Sequence, residues 1–267
     1  MRKFTPITPS LRHYISVNHR FTNTVRVFKR LTYFFKQHAG RGNKGRCCFF
    51  NRGSGNKFLY RTVNYKNMCI GVPCTILQLE YDPCRSAFIA LVYYYNGVYS
   101  YILAPFQLYH GAILYSSSEL VLSSINIGYT GILSNIPVGS LVYNVGILKH
   151  TGGILMRAAG SFGVLLRKER SYAVVRMRSG ERRYVSILSY GTIGSVSNFE
   201  YRYIRFGKAG RLRWLGYRPT VRGVAMNPID HPHGGDTSGG KVHSTPWSIP
   251  TKGKPTRRTK RSFIAPF

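Results

Sequence analysis

The pattern of apolar and polar positions changes character three times along the chain. Through residues 1–57 no period holds. Bases recur at irregular intervals, and Ala39–Lys57 sets five glycines among five bases. From Phe58 a period of two takes over, the mark of half-buried strands. β-Branched and aromatic residues alternate in Tyr60–Tyr65, Thr75–Tyr81, Ala87–Tyr95 and Tyr99–Ala104, with breaks at Pro73, Asp82-Pro83, Asn96-Gly97 and Pro105. Asn96-Gly97 between two Tyr-rich runs predicts a type I′ hairpin, whose two central residues both need positive φ. Short strands without long helical patterns predict a small barrel or sandwich, and an OB-type barrel fits residues 58–130. A second β block covers residues 131–206, with strands at Leu141–Val145, Val164–Lys168, Tyr172–Met177 and Arg182–Ile187 and a turn at Ser179-Gly180. Beyond Gly207 the strand pattern stops. Residues 207–267 are rich in glycine, proline and arginine and carry no periodic apolar face. Such a segment cannot bury enough apolar area to offset its ordering entropy, so it is expected to take shape only against a partner.

Charge narrows the choice of partner. The 267 residues hold 39 Lys and Arg against 8 Asp and Glu, a formal net charge of +31. That excess repels itself unless a polyanion neutralises it, and nucleic acid is the usual polyanion. Arginine predominates over lysine, which favours bidentate phosphate contacts and stacking. A secreted cationic protein or a membrane-surface binder would share the composition, but no amphipathic basic helix is visible. The richest apolar stretch, Ala87–Leu122, is interrupted by Asn96, Gly97, Pro105 and Gly111 and is too broken to span a membrane as a helix. No secretory signal is present, although Arg12, Arg20 and Arg26 without acids would suit a transit peptide. The five cysteines, Cys47, Cys48, Cys69, Cys74 and Cys84, are odd in number and include a vicinal pair, which argues against a disulfide framework. Their spacing also lacks the paired Cys-x2-Cys of a zinc ribbon, so incidental or buried thiols are expected.

Several groups of residues carry candidate chemistry. Arg41, Lys44, Arg46, Arg52 and Lys57 lie in the glycine-rich arm, where the backbone can approach phosphates closely. No Walker or dinucleotide-binding spacing accompanies them, and a flexible linker is the plain alternative. Arg176, Arg178, Arg182 and Arg183 gather at the Ser179-Gly180 turn and are expected on one exposed edge, either against RNA or simply solvated. Arg211, Arg213 and Arg218 surround Trp214, which would be a stacking ring or a small core anchor; Trp247 is a second stacking candidate. Lys252, Lys254, Arg257, Arg258, Lys260 and Arg261 supply a dense cationic tail that glycine and proline keep from forming a helix. Asp230, His231 and His233 suggest a general base or the start of a metal site, but no nucleophile motif accompanies them. His231 is expected to donate to RNA or stack on it. An RNA-modifying enzyme would need paired acids, which eight carboxylates spread thinly make poor. The expectation is a non-enzymatic protein without a cofactor, any Mg2+ arriving with the RNA.

Separated blocks then fall into a familiar order. Leu79-Glu80-Tyr81-Asp82-Pro83 precedes Arg85-Ser86-Ala87, Tyr101-Ile102-Leu103-Ala104-Pro105 and Asn135-Ile136-Pro137-Val138-Gly139-Ser140. Gly152-Gly153, Arg157-Ala158-Ala159-Gly160 and Arg178-Ser179-Gly180-Glu181 follow. The longest run comprises Gly207-Lys208-Ala209-Gly210, Arg218-Pro219-Thr220-Val221-Arg222-Gly223, Ala225-Met226-Asn227-Pro228 and Asp230-His231-Pro232-His233-Gly234-Gly235, with Thr245-Pro246-Trp247 and Thr251-Lys252-Gly253-Lys254 after it. Over nearly the whole length the chain resembles the universal large-subunit ribosomal protein L-two family. The resemblance implies an OB-type barrel followed by an SH3-like barrel, with basic extensions threading into large-subunit rRNA. It adds Arg157, Lys208, Arg222 and Asn227 to the expected RNA contacts. It further implies neighbouring ribosomal proteins as partners, a role in joining the small subunit, and a place for the His231 loop near the peptidyl transferase region. The chain departs from the family pattern at Cys47-Cys48-Phe49-Phe50 and at Gly146 after Tyr143-Asn144-Val145. Its 20 Tyr and 15 Phe, often at positions polar in the family, look like drift in an AT-biased organellar genome. A family-like start, from Lys3 through Thr8-Pro9 to Arg12-His13, leaves no room for a removable presequence, so a mitochondrially encoded member in the mitochondrial matrix is expected.

Overall fold

The structure, a computed structural model, describes residues 1–19, 22, 27–53, 55–66, 69–118, 126–149, 151–236 and 242–253. The chain forms two compact units, one from Met1–Lys36 and Lys57–Lys208, the other from Gln37–Asn56 and Ala209–Lys260. The first contains the strands. β1 (Arg2–Lys3) pairs with β2 (Ile15–Ser16) around a one-turn helix α1 (Pro9–Arg12), and β3 (Thr32–Phe34) pairs with β4 (Leu59–Arg61). A four-stranded sheet follows from β5 (Cys74–Glu80), β6 (Ile89–Tyr94), β7 (Tyr99–Leu103) and β8 (Ile113–Leu114), in the order β7-β6-β5-β8. The chain passes at Tyr115 into a second sheet. This holds β9 (Ser116–Ser117), β10 (Thr130–Ile132), β11 (Leu141–Tyr143), β12 (Gly163–Lys168), β13 (Tyr172–Met177), β14 (Arg182–Ser186) and β15 (Tyr190–Ile193). Its order is β14-β13-β12-β11-β15-β10-β9, and only the β9–β10 pair is parallel. Both sheets curl into half-barrels, consistent with OB-type and SH3-like forms in a mostly β protein. Among the described residues no helix is long and apolar enough to cross a membrane.

The alternating segments fold as expected with ends shifted by a residue or two, except that Tyr60–Tyr65 is regular strand only to Arg61, with an isolated bridge from Val63 to Tyr101; the turn at Asn96-Gly97 also differs in type. Gly97 has φ 87° while Asn96 is not among the positive-φ residues. The Gly97 amide donates to Tyr94 O and the Tyr94 amide to Val98 O, each at 2.9 Å. This is a type I turn closed by a left-handed glycine, the three-residue alternative to type I′. The same arrangement recurs at Gly180, φ 89°, between Met177 and Glu181. Residues 1–57 also hold more regular structure than the aperiodic pattern suggested, namely β1, β2, β3 and α1. β15 was not foreseen either, because Gly191, paired with Gly131 of β10, breaks its apolar rhythm.

Each sheet has its own core. Ile76, Ala90, Val92, Tyr94 and Leu114 pack in the first, and Leu133, Ile136, Val142, Leu165, Val175 and Val185 in the second. Tyr143, Leu103, Ala87 and Val196 join them, and the Tyr143 hydroxyl donates to Leu103 O at 3.4 Å. β6 is buried on both faces, because Ile89 and Leu91 pack with Tyr101 under Phe28 and Leu31. That explains its continuous apolar run, which a one-sided strand would not show.

A charged network lies beneath this second layer. Tyr101 donates to Glu80 Oε1 at 2.8 Å, and Arg61 of β4 reaches Glu80 at 3.6 Å and Asp82 at 3.9 Å. Asp82, fully buried, also binds Arg85 and caps the Cys84 amide at 2.8 Å. Burial lowers the basicity of Arg85, but Tyr65 and Asp82 more than restore it, so its proton is held above the usual guanidinium range. Removing one member of such a set leaves the others buried and unpaired, at a cost of about 3–5 kcal/mol. Asp82→Ala is therefore expected to lower chemical-denaturation stability by that amount. Glu169→Ala, which opens the exposed Arg167–Glu169 pair, should change it by less than about 1 kcal/mol.

Candidate nucleic-acid interface

In the first unit the arginines of the β13–β14 hairpin do not share one edge as expected. Arg176 and Arg182 are direct cross-strand partners, whereas Arg183 stands opposite the core residue Val175. Arg183 pairs with Glu181 at 2.9 Å, and Arg178 donates to Gly160 O at 2.7 Å while lying over Phe199. Strand alternation separates them, and Arg178 and Arg183 are partly spent on the fold. Arg176 and Arg182 set like charges face to face, an arrangement that an anion relieves. Arg157 is exposed and rests over the Tyr65 ring at 4.7 Å. Lys57 and Lys208 are exposed.

The second unit brings together segments from opposite ends of the chain, which the sequence pattern did not reveal. The arm containing Arg41, Lys44, Arg46 and Arg52 is strapped to the stretch after a short helix α2 (Ala209–Trp214). The Gly53 amide donates to Gly216 O at 3.1 Å, Asn56 to Trp214 O at 3.0 Å and Arg218 to Asn51 O at 2.9 Å. The Asn51 side-chain amide donates to Thr220 Oγ1 at 3.0 Å, and the Arg52 guanidinium covers the Tyr217 ring at 3.9 Å. Gly55 has φ 145°, and a Cβ there would sit 3.0 Å from the Gly216 amide nitrogen, so the strap needs glycine at that point.

Among the described residues of this unit no apolar side chain is buried. Trp214 is half exposed, which sets aside its reading as a core anchor, and Trp247 is exposed beside Phe50, ring centroids 5.6 Å apart. Arg213, Arg218, Arg222, Asn227 and Lys252 are exposed, and Arg211 is half-buried. His231 departs from its expected place as an open donor or stacking surface. Only 8% exposed, it accepts the His233 amide on Nδ1 at 3.0 Å. Its ring lies where a Gly223 side chain would be, 2.8 Å from the ideal Cβ. His233 Nε2 lies 2.8 Å from Val242 O, so both rings tie down the loop. Among the described residues no cluster of three or more His, Cys, Asp or Glu is placed to hold a metal, and all five cysteines are free. Lys254, Arg257, Arg258, Lys260 and Arg261 lie outside the described residues.

An OB-type and an SH3-like sheet, bearing exposed cations and accompanied by a cationic unit whose described residues form no apolar core, define a nucleic-acid-binding class of β protein. The chain belongs to the Ribosomal Proteins L2 family: its RNA binding N-terminal domain profile matches residues 28–116, and its C-terminal domain profile residues 126–252. The chain is 46% identical over 265 residues to the large ribosomal subunit protein uL2 of Rickettsia canadensis, covering 98% of this chain and 96% of that one. It is 44% identical over 263 residues to the protein of that name from Orientia tsutsugamushi, covering 97% and 95%.

The exposed Cys47 and Cys48 provide a probe of this surface. Burial, reinforced by neighbouring Cys69, pushes the Cys74 thiol up to about 12, which keeps it unreactive. A thiol reagent at pH 8 should label Cys47 and Cys48 much faster than Cys74 in peptide mass spectra, and added rRNA should slow the first two only. Equal labelling of Cys74 would contradict the packed first sheet.

Proposed function

We propose that this chain is a non-enzymatic structural constituent of the large ribosomal subunit, binding large-subunit rRNA. The observation that carries this reading is the second unit. Over residues 37–56 and 209–260 it has fourteen Lys and Arg, two Asp and, where described, no buried apolar side chain. Backbone bonds give it a definite form, but among its described residues no apolar core offsets the ordering entropy and two aspartates do little against the charge repulsion. RNA phosphates supply both the counter-charge and the missing second surface. In this reading residues 1–57 and 207–267 are basic extensions, residues 58–130 and 131–206 are the OB-type and SH3-like domains, and the exposed cations above make the phosphate contacts. Family membership supports placing the chain in the ribosome, with neighbouring ribosomal proteins as partners. We extend it to a role at the junction with the small subunit and to support of the peptidyl transferase region by the Met226–Gly235 loop, which His231 braces from within.

The finer location proposed is the mitochondrial ribosome. Its support is the abundance of tyrosine and phenylalanine, 20 and 15 residues, whose codons are rich in A and T. Recovery of the chain with ribosomes of a mitochondrial fraction, and its absence from cytosolic ones, is the expected result.

Two measurements test the main proposal. The chain should co-sediment with large subunits in moderate salt, and its affinity for isolated rRNA should fall about 10³–10⁵-fold between 50 and 200 mM salt if six to ten phosphates are neutralised. Amide hydrogen exchange in residues 37–56 and 209–236 should be fast in the free chain and slow in the complex. Failure to bind rRNA, or salt-independent binding, would overturn the assignment.

A further inference from the structure

The β3–β4 hairpin carries an aromatic arrangement that neither sheet core uses. Tyr33 and Tyr60 are cross-strand partners with ring centroids 5.0 Å apart. Just past the paired residues, Phe35 and Phe58 stack at 6.0 Å with 17° between their planes, and Phe35 lies 6.0 Å from Tyr60. Strand alternation puts Tyr33 and Phe35 on one face, in rungs about 6.7 Å apart by strand rise. Rings of this size normally go to a core, yet Tyr33 is 50% and Phe35 44% exposed. One end of the ladder is rigidly held. The Tyr60 hydroxyl accepts from Arg85 Nη2 at 3.1 Å, its ring faces the same guanidinium at 5.1 Å, and Arg85 is fixed by buried Asp82.

Charge decides what covers such a surface. Exposed Lys36 and Lys57 continue the two strands just beyond the rings, and Lys29 and Arg30 precede β3. From residue 1 to 79 the sequence contains no Asp or Glu. An apolar protein surface would gain from the rings but nothing from the cations around them. A helical duplex would satisfy the cations but keeps its base faces stacked inside. Unpaired bases satisfy both, offering π-faces to the rings and phosphates to the lysines.

We propose that the Tyr33–Tyr60 and Phe35–Phe58 ladder is a stacking platform for unpaired bases of a single-stranded or looped RNA segment. This rests on the RNA-binding reading above and specifies the form of RNA taken at this place. The test uses the full-length chain with a ten-nucleotide oligouridylate and an RNA duplex of matched phosphate number. The double variant Tyr33→Leu/Phe35→Leu, which keeps apolar bulk but removes the π-faces, should bind the oligouridylate about tenfold or more weakly. Its duplex affinity should stay within about twofold and its salt slope unchanged, because no phosphate contact is removed. Lys36→Gln/Lys57→Gln should instead flatten the salt slope. As a check independent of stability, Tyr33→Trp should retain oligouridylate affinity and show quenching beyond that of the parent chain.

Equal effects on both RNAs, or no effect on either, would overturn the platform while leaving RNA binding intact. Absence of extra quenching in Tyr33→Trp would do the same. Failure of the unmodified chain to bind either RNA would remove the parent reading along with this one.

Discussion

Thirty-nine cationic side chains share this molecule with eight carboxylates, and the fold has already committed most of the carboxylates it describes. Glu80 and Asp82 lie buried with Arg61 and Arg85, Glu169 and Glu181 pair with neighbouring arginines, and Glu200 meets the Met1 amine at 2.6 Å. Little negative charge remains to quiet the surface. The two units meet this constraint differently. The strand-bearing unit is held by two apolar cores, so it can present cations from a rigid frame. The other shows no buried apolar side chain among its described residues, so its like charges are held together by backbone hydrogen bonds and a polyanion would relieve their repulsion.

The buried network does more than stabilise. Asp82 fixes Arg85, Arg85 orients Tyr60 and Tyr65, and Arg157 lies over Tyr65. A carboxylate at the end of β5 thus sets the positions of aromatic rings and of a guanidinium at the surface. Breaking so costly a buried set would release those side chains together, which couples core stability to surface geometry.

Much of the first unit was legible because period-two alternation reports directly on which face is buried. It failed where glycine replaces an informative side chain, as in β15, and where two turn geometries share one sequence, as at Asn96-Gly97. The cationic positions were readable from composition, but their grouping was not. Pairing in sequence suggested one arginine edge, whereas alternation and the contacts to Glu181 and Gly160 O divide it. His231 looked like a surface group because its neighbours are polar and glycine-rich; the space left by Gly223 is what allows it inside. The strap between Gly53 and Gly216 was not legible, since its backbone hydrogen bonds join distant segments and the one glycine it requires, Gly55, looks like any other in a glycine-rich arm.

That strap sets an order of events during synthesis. The arm leaves the exit tunnel early, yet its hydrogen-bond partners at Trp214, Gly216 and Arg218 emerge only after both sheets have been made. The sheets can complete once Ile193 has emerged to pair with Val142, while the arm must wait as a cationic tether, free to collect polyanion before its own partners exist. Closing so long a loop costs only slightly more entropy than closing a short one. The delay is therefore one of time rather than of stability, and it makes a segment translated late the one that completes the first.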